Sequence, residues 1–247
     1  MGLIRQIWPD ERGLDDHELE KLYRYPADPR WLAVNFVSGT DGAIAVEGRS
    51  GSLSTPADRI VYRLGNDLAD VVLVGAGTAM AEGFEGLRPD ERTADRRRRF
   101  GLAPIAPVAV VTNGRSLPPD APVITKAAVP TLVFTSSLAP SSLRDAWTAN
   151  GARVFVVGED AVSAELVVAT LVAEGLGRID CEGGPRLFGS LIEAGVVDEF
   201  RLTVAPFLVA GTAGRAAVGG VVDPAKLELA SVLTDGSSVL LRYLSPR

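Results

Sequence analysis

With 247 residues, 47% of them hydrophobic, and a slightly positive mean hydropathy, the chain can build one substantial core and is not disordered. Its net charge of −6 argues against a general nucleic-acid or membrane-surface binder. A single cysteine (Cys181) and a single histidine (His17) exclude a disulfide framework, a thiolate zinc cluster and a His-based catalytic triad.

Residues 1–30 are mixed and irregular, with a short helical turn over Asp15–Leu22, and are expected to form an extension packed on a single domain spanning 31–247. Met1–Pro9 has no continuous apolar segment of signal-peptide type. No uncharged apolar run reaches the length of about 18 residues that crosses a bilayer, so a cytoplasmic protein is expected. Trp31–Val37 is the first strand, and Ser38–Gly42 a turn with Asp-Gly at its tip. A Gly/Ser-rich loop, Gly48–Ser54, leads to Thr55 as N-cap and Pro56 as first helical residue. Ile60, Leu64 and Leu68 give that helix an apolar face.

Asp70–Thr78 reads as a short apolar strand ending in a glycine turn. Val108–Thr112, Thr131–Thr135, Val154–Val157 and Ile179–Glu182 have the same continuously apolar character, which belongs to parallel strands covered on both faces. Ser163–Glu174 is a helix between two of them. Phe200–Ala205 and Val239–Tyr243 alternate instead, and are expected to be antiparallel. Glu85–Pro104, with Arg96 to Arg99 in a row, reads as a solvated loop. The expected architecture is therefore α/β, a mixed but mostly parallel sheet with helices on both faces and antiparallel C-terminal strands.

Three strand ends carry glycine: Ser38–Gly42, Gly75–Thr78 and Glu182–Gly189. The last runs through Gly183 and Gly184 into a helix with Pro185 at its first position, Leu187, Leu191 and Ile192 on one face, and Gly195 at its end. Uncovered N–H groups at such a terminus attract phosphate. In an open parallel sheet, loops at the carboxyl ends of strands form the ligand crevice, so the three loops together suggest a dinucleotide site. The spacing is not a Rossmann fingerprint, because Gly75-Ala76-Gly77 lacks the third glycine at its proper offset.

These residues resemble a known family. Gly39-Thr40-Asp41-Gly42, Ser50 through Thr55-Pro56 to Arg59, Asp70 through Gly75-Ala76-Gly77-Thr78, Glu182-Gly183-Gly184-Pro185, and Val197-Asp198-Glu199 through Ala205-Pro206 are similar to the riboflavin-pathway pyrimidine reductases, over about 31–244. The resemblance implies a dihydrofolate-reductase-like fold, NADPH as cofactor, a homodimer, and hydride transfer to a phosphoribosylaminopyrimidine such as 5-amino-6-(5-phosphoribosylamino)uracil or its diaminopyrimidinone equivalent. No deaminase-type His-x-Glu or Cys-x-x-Cys occurs in the chain, so it would be the reductase alone. Alternatives are a dihydrofolate or other pterin reductase, and a non-catalytic nucleotide-binding relative.

Carried onto this sequence, the family pattern implies that Ser38, Ser52, Gly75, Gly77, Thr78 and Glu82 lie against NADPH. Gly183, Gly184, Pro185, Arg186, Leu187 and Phe188 would hold its pyrophosphate. Thr112 and Asn113 would take the adenosine end, with Arg115 the candidate for the 2′-phosphate on charge and place. Ser50, Asn66, Arg88 and Glu182 would meet the substrate, Arg88 at its phosphate. Glu182, Asn35 and Asp41 are the candidate catalytic residues, although Asp41 is first of all a turn-former. The chain departs from the family at Asn35, often Lys, at Ser52, near an expected Trp, at Asn66, often Arg, and at Glu82, often Asp. Loss of a cation beside the reacting carbonyl removes electrostatic help for the hydride step.

Overall fold

The computed structural model describes residues 4–220 and 222–246. Its elements in chain order begin with β1 (Arg5–Trp8), β2 (Arg12–Gly13), α1 (Asp16–Tyr23), β3 (Trp31–Gly39), α2 (Pro56–Leu68), β4 (Val71–Gly75) and α3 (Ala76–Glu82). There follow α4 (Glu91–Arg99), β5 (Val108–Val111), α5 (Pro122–Thr125), β6 (Leu132–Thr135), α6 (Ser141–Ala149), β7 (Arg153–Val156) and α7 (Ala164–Ala173). The last five are β8 (Arg178–Cys181), α8 (Pro185–Glu193), β9 (Glu199–Ala205), β10 (Glu228–Thr234) and β11 (Val239–Leu244).

All eleven strands join one sheet in the order β2-β1-β10-β11-β9-β3-β8-β4-β5-β6-β7. From β9 to β7 every neighbouring pair is parallel, and from β9 outward through β11, β10, β1 and β2 every pair is antiparallel. Helices cover both faces. Leu32 and Val34 of β3, with Val71 and Leu73 of β4, pack under α7 and α8. The alternate residues Trp31 and Ala33 meet α1 and α2, while Val74, Val108 and Val110 meet α3, α5 and α6. A strand buried on both sides is apolar at most positions, and this is why β4, β5 and β6 read as continuous runs; β8 departs from that reading, because it carries the fully buried Asp180. β7 departs from that reading: it is the sheet's edge, and Val156 is exposed.

Local chemistry sets the helix ends. Thr55 caps α2 through its hydroxyl, with Pro56 behind it, and Gly195 adopts φ +64° just past α8. Two expectations need correction here. Residues 5–13, read as irregular, form β1 and β2, and β1 pairs with β10, a strand not expected from the sequence. Gly75–Thr78 is not a turn, because Gly75 is the N-cap and α3 starts at once.

The arginine run is the larger correction. It is helical (α4), and Arg96 and Arg97 are 5% and 2% exposed. Arg96 pairs with Glu20 of α1 at 2.8 Å and with Asp67 of α2, while Arg99 adds contacts to Glu20 at 2.9 and 3.0 Å. These two arginines hold the Glu20 carboxyl at about 2, below the usual range. Arg97 Nη1 donates to the carbonyls of Asn66, Asp67 and Ala69, supplying the end of α2 with the partners its last turn lacks. Arg96, Arg97 and Arg99 thus lock α4 to α1 and α2, while Arg98 stays exposed beside Asp95 of its own helix.

Candidate active site

Parallel pairing brings the carboxyl ends of β3, β4, β5 and β8 to one edge of the sheet. There β4 and β8 are zipped together: Glu182 N–H donates to Leu73 O at 2.9 Å and Gly75 N–H to Gly183 O at 2.8 Å. The first turns of α3 and α8 consequently lie side by side. A Cβ on Gly184 would collide with Thr78 Oγ1, and one on Gly183 would stand 2.7 Å from the Phe36 ring. Gly183 also has φ +74°, so glycine is required there twice over.

Two hollows open on either side of this junction. The first, about 810 Å³, is lined by Asn35, Phe36, Ile44, Ser50, Asp58, Tyr62, Glu82 and Glu182. The second, about 700 Å³, is lined by Gly75, Val111, Thr112, Asn113, Asp160, Arg186, Leu187 and Ser190. Gly77, Thr78, Gly184 and Pro185 belong to both. Neither α3 nor α8 has a side-chain N-cap or an acidic residue in its first turn. Nothing stands within 4 Å of where a Cβ on Gly77 would lie. Amide dipoles left uncovered beside an open glycine cradle fit an anionic diphosphate.

Glu182 is half-buried at the floor of the first hollow, where Asn66 Nδ2 donates to its Oε1 at 3.1 Å. Burial, and then the neighbouring Asp180, push its carboxyl well above the usual range. Asp58, Tyr62 and Asn66 lie four residues apart on α2, so one helix face turns toward this floor. That spacing was the available signal for Tyr62, which sequence reasoning missed. Glu82 lines the first hollow, but its carboxylate accepts the Ser50 N–H at 2.7 Å and hydroxyl at 2.9 Å. It holds the Ser50 loop in place.

Other expected site residues fall elsewhere. The Asp41 carboxylate accepts backbone N–H groups of Ala43, Val209 and Ala210 at 3.3, 2.8 and 2.7 Å, and these contacts lower its pKa. It braces two loops and lines neither hollow. Phe188 is buried on the core side of α8, its ring 5.4 Å from Phe36 and 5.1 Å from Phe200. Ser38 is buried within β3, Gly183 sits under Phe36, and Ser52 and Arg115 are exposed outside both hollows. Asn66 and Arg88 line a third cavity of about 400 Å³, which shares Arg59, Tyr62 and Leu87 with the first.

The profile of the RibD C-terminal domain matches residues 30–241. The 2,5-diamino-6-ribosylamino-4(3H)-pyrimidinone 5′-phosphate reductase of Methanothermobacter thermautotrophicus is 30% identical over 220 residues, covering 86% of this chain and 97% of that protein. The riboflavin biosynthesis protein RibD of Bacillus amyloliquefaciens is 28% identical over 223 residues, covering 89% of this chain, which spans only 55% of that protein's length. Among solved structures, a pyrimidine reductase-like protein from Corynebacterium diphtheriae shares the fold, with TM-score 0.79 at 19% identity, over 93% of this chain and 99% of that one.

Proposed function

Since the chain belongs to the RibD C-terminal domain family, we propose that it is an NADPH-dependent reductase acting on a phosphoribosylaminopyrimidine of the kind its archaeal relative is named for. The observation that carries this reading is the shared rim of Gly77, Thr78, Gly184 and Pro185 between the two hollows. The open ends of α3 and α8 would hold the diphosphate of a dinucleotide. Thr112 and Asn113 of the second hollow would hold its adenosine end, and the first hollow, with Glu182, would receive its nicotinamide. Arg186 lines the second hollow and is better placed than Arg115 for a 2′-phosphate.

When bound, the reduced nicotinamide supplies a hydride. The chain's own residues do the rest. Phe36 and Ile44 give the first hollow an apolar wall, Ser50 is held at its mouth by Glu82, and Asn35 offers an uncharged amide to the substrate. Alignment of donor and acceptor is the main catalytic contribution expected of such a site. We place a cytoplasmic homodimer in the same proposal. Its interface continues from β9 through Phe207 and Leu208, which are 43% and 83% exposed.

The test follows NADPH oxidation with the diaminopyrimidinone phosphate and, separately, with dihydrofolate. Turnover of the first alone is expected; turnover of dihydrofolate alone assigns the site to pterins. Failure to bind NADPH refutes the enzyme reading. A monomer in light scattering at micromolar concentration refutes the dimer.

A further inference from the structure

Beneath Glu182 lies a layer of buried charge that hydride transfer by itself does not need. Asp180 precedes Glu182 by two residues and shares its face of β8, fully buried. Arg201 of β9 approaches Asp180 at 3.5 Å and binds Glu199 at 2.7 Å. Its guanidinium also lies over the rings of Tyr23 and Tyr25, at 5.2 and 5.4 Å. Arg242 of β11 adds a second contact to Glu199 at 2.7 Å, and Trp31 Nε1 a third at 2.9 Å. Helix α2 reaches this layer only because residue 65 is glycine: a Cβ there would stand 2.5 Å from Asp180 Oδ2 and 2.9 Å from Arg201 Nη1.

Charge counting then decides the protonation. The layer holds two cations, Arg201 and Arg242, and three carboxyls, Asp180, Glu182 and Glu199. Asp58, Arg59, Tyr62 and Asn66 face it from α2, Asn35 from β3, Tyr25 from the segment before β3 and Glu82 from α3; the one cation among them, Arg59, is exposed and is outnumbered by the carboxyls of Asp58 and Glu82. Two buried carboxylates and the half-buried Glu182 against two buried cations leave one uncompensated negative charge, which a proton on one carboxyl removes. Glu199, gripped by both arginines, is driven down to about 2 and is ionised. Both Asp180 oxygens lack a hydrogen-bond donor in the structure, and a proton on the adjacent Glu182 carboxyl supplies one for one of them.

We propose that Asp180 is a positioning residue. Fixed by Arg201, it stays ionised and accepts a hydrogen bond from a protonated Glu182, which enters turnover as a neutral acid. Burial raises both carboxyls, Asp180 to about 6 and Glu182 well above the usual carboxylate range, and the charge of Asp180 is among the causes at Glu182. Resting on the reductase reading, Glu182 gives that proton to the heteroatom of the C=O or C=N bond whose carbon accepts the hydride. It becomes a carboxylate and regains a proton from water in the open hollow. A neutral acid at this place supplies what a cation at position 35 would otherwise offer.

The experiment is infrared spectroscopy of the free protein, with the carboxyls of Asp and of Glu selectively labelled with carbon-13. At pH 7 a protonated-carboxyl C=O band that shifts with Glu labelling and disappears in Glu182→Gln is expected. In Asp180→Asn that band should vanish at a lower pH, and the alkaline limb of kcat should move down by about one unit or more, with NADPH affinity kept. Glu182→Gln should lower kcat by about a hundredfold. A band that follows Asp labelling, or no band sensitive to Glu182→Gln, overturns the proposal even if Asp180→Asn fails to fold. So does a folded Asp180→Asn that leaves the titration unmoved. The band is read without cofactor or substrate. A protein that shows it but oxidises no NADPH refutes the reductase reading and leaves the carboxyl assignment standing.

Discussion

Replacing Arg96 with methionine tests whether the arginine run is structural. The substitution keeps most of the aliphatic bulk and removes the cation between Glu20 and Asp67. Glu20 retains Arg99 at 2.9 and 3.0 Å, so the loss falls mainly on Asp67, left with the Thr93 hydroxyl at 3.3 Å. Breaking a buried pair from one side costs about 3–5 kcal/mol, and the surviving partner for Glu20 puts the expectation near 3 kcal/mol. Unfolding entropy of about 2.1 cal/mol/K per residue gives roughly 0.5 kcal/mol/K for this chain, hence a fall in Tm of about 6 °C.

The pH dependence has a definite sign. Burial already raises the Asp67 pKa against the pull of Arg96, and loss of Arg96 raises it further. An acid with a raised folded-state pKa destabilises the fold at high pH and ceases to do so as pH falls through that value. The gap between variant and wild type, followed by circular dichroism melts, should therefore narrow between neutral pH and pH 5. A variant melting within about 1 °C of wild type at pH 7, less than a loss of 1 kcal/mol would give, would refute the structural role and restore the solvated-charge reading.

Two further outcomes follow from the glycines. Gly65→Ala gains about 1 kcal/mol of helix propensity but drives a methyl into Asp180 and Arg201, at a cost of about 1–3 kcal/mol. Urea titration should show net destabilisation, and a more stable variant would mean that α2 can retreat freely. Gly77→Leu fills the open cradle between the hollows, so NADPH affinity measured by fluorescence should fall about tenfold or more while Tm holds. Unchanged affinity would move the diphosphate elsewhere.

What could be read from the sequence was whatever depends on neighbours in the chain. The Thr55-Pro56 cap, the apolar runs of β4, β5 and β6, and the entry into α8 each announce themselves within a few residues. What stayed hidden depends on distant partners. Arg96 looks solvated until Glu20 and Asp67 are placed around it, 76 and 29 residues away. Asp41 looks like a site residue until Val209 and Ala210 claim its carboxylate, 168 and 169 residues on. Phe188 shares α8 with Pro185, yet only one face of that helix meets the hollow, and nothing local says which.

The pairing of β1 with β10 bears on how the protein can be handled. A fragment beginning at Trp31 would retain every wall of the two hollows but strip β10 of its outer neighbour, leaving unmatched amides and carbonyls along Val232, Leu233 and Thr234. Such a naked margin recruits other chains. Trimming the leading segment to simplify crystallisation or assay would thus trade an orderly solution for fibrous or clumped material, however intact the catalytic groove remained.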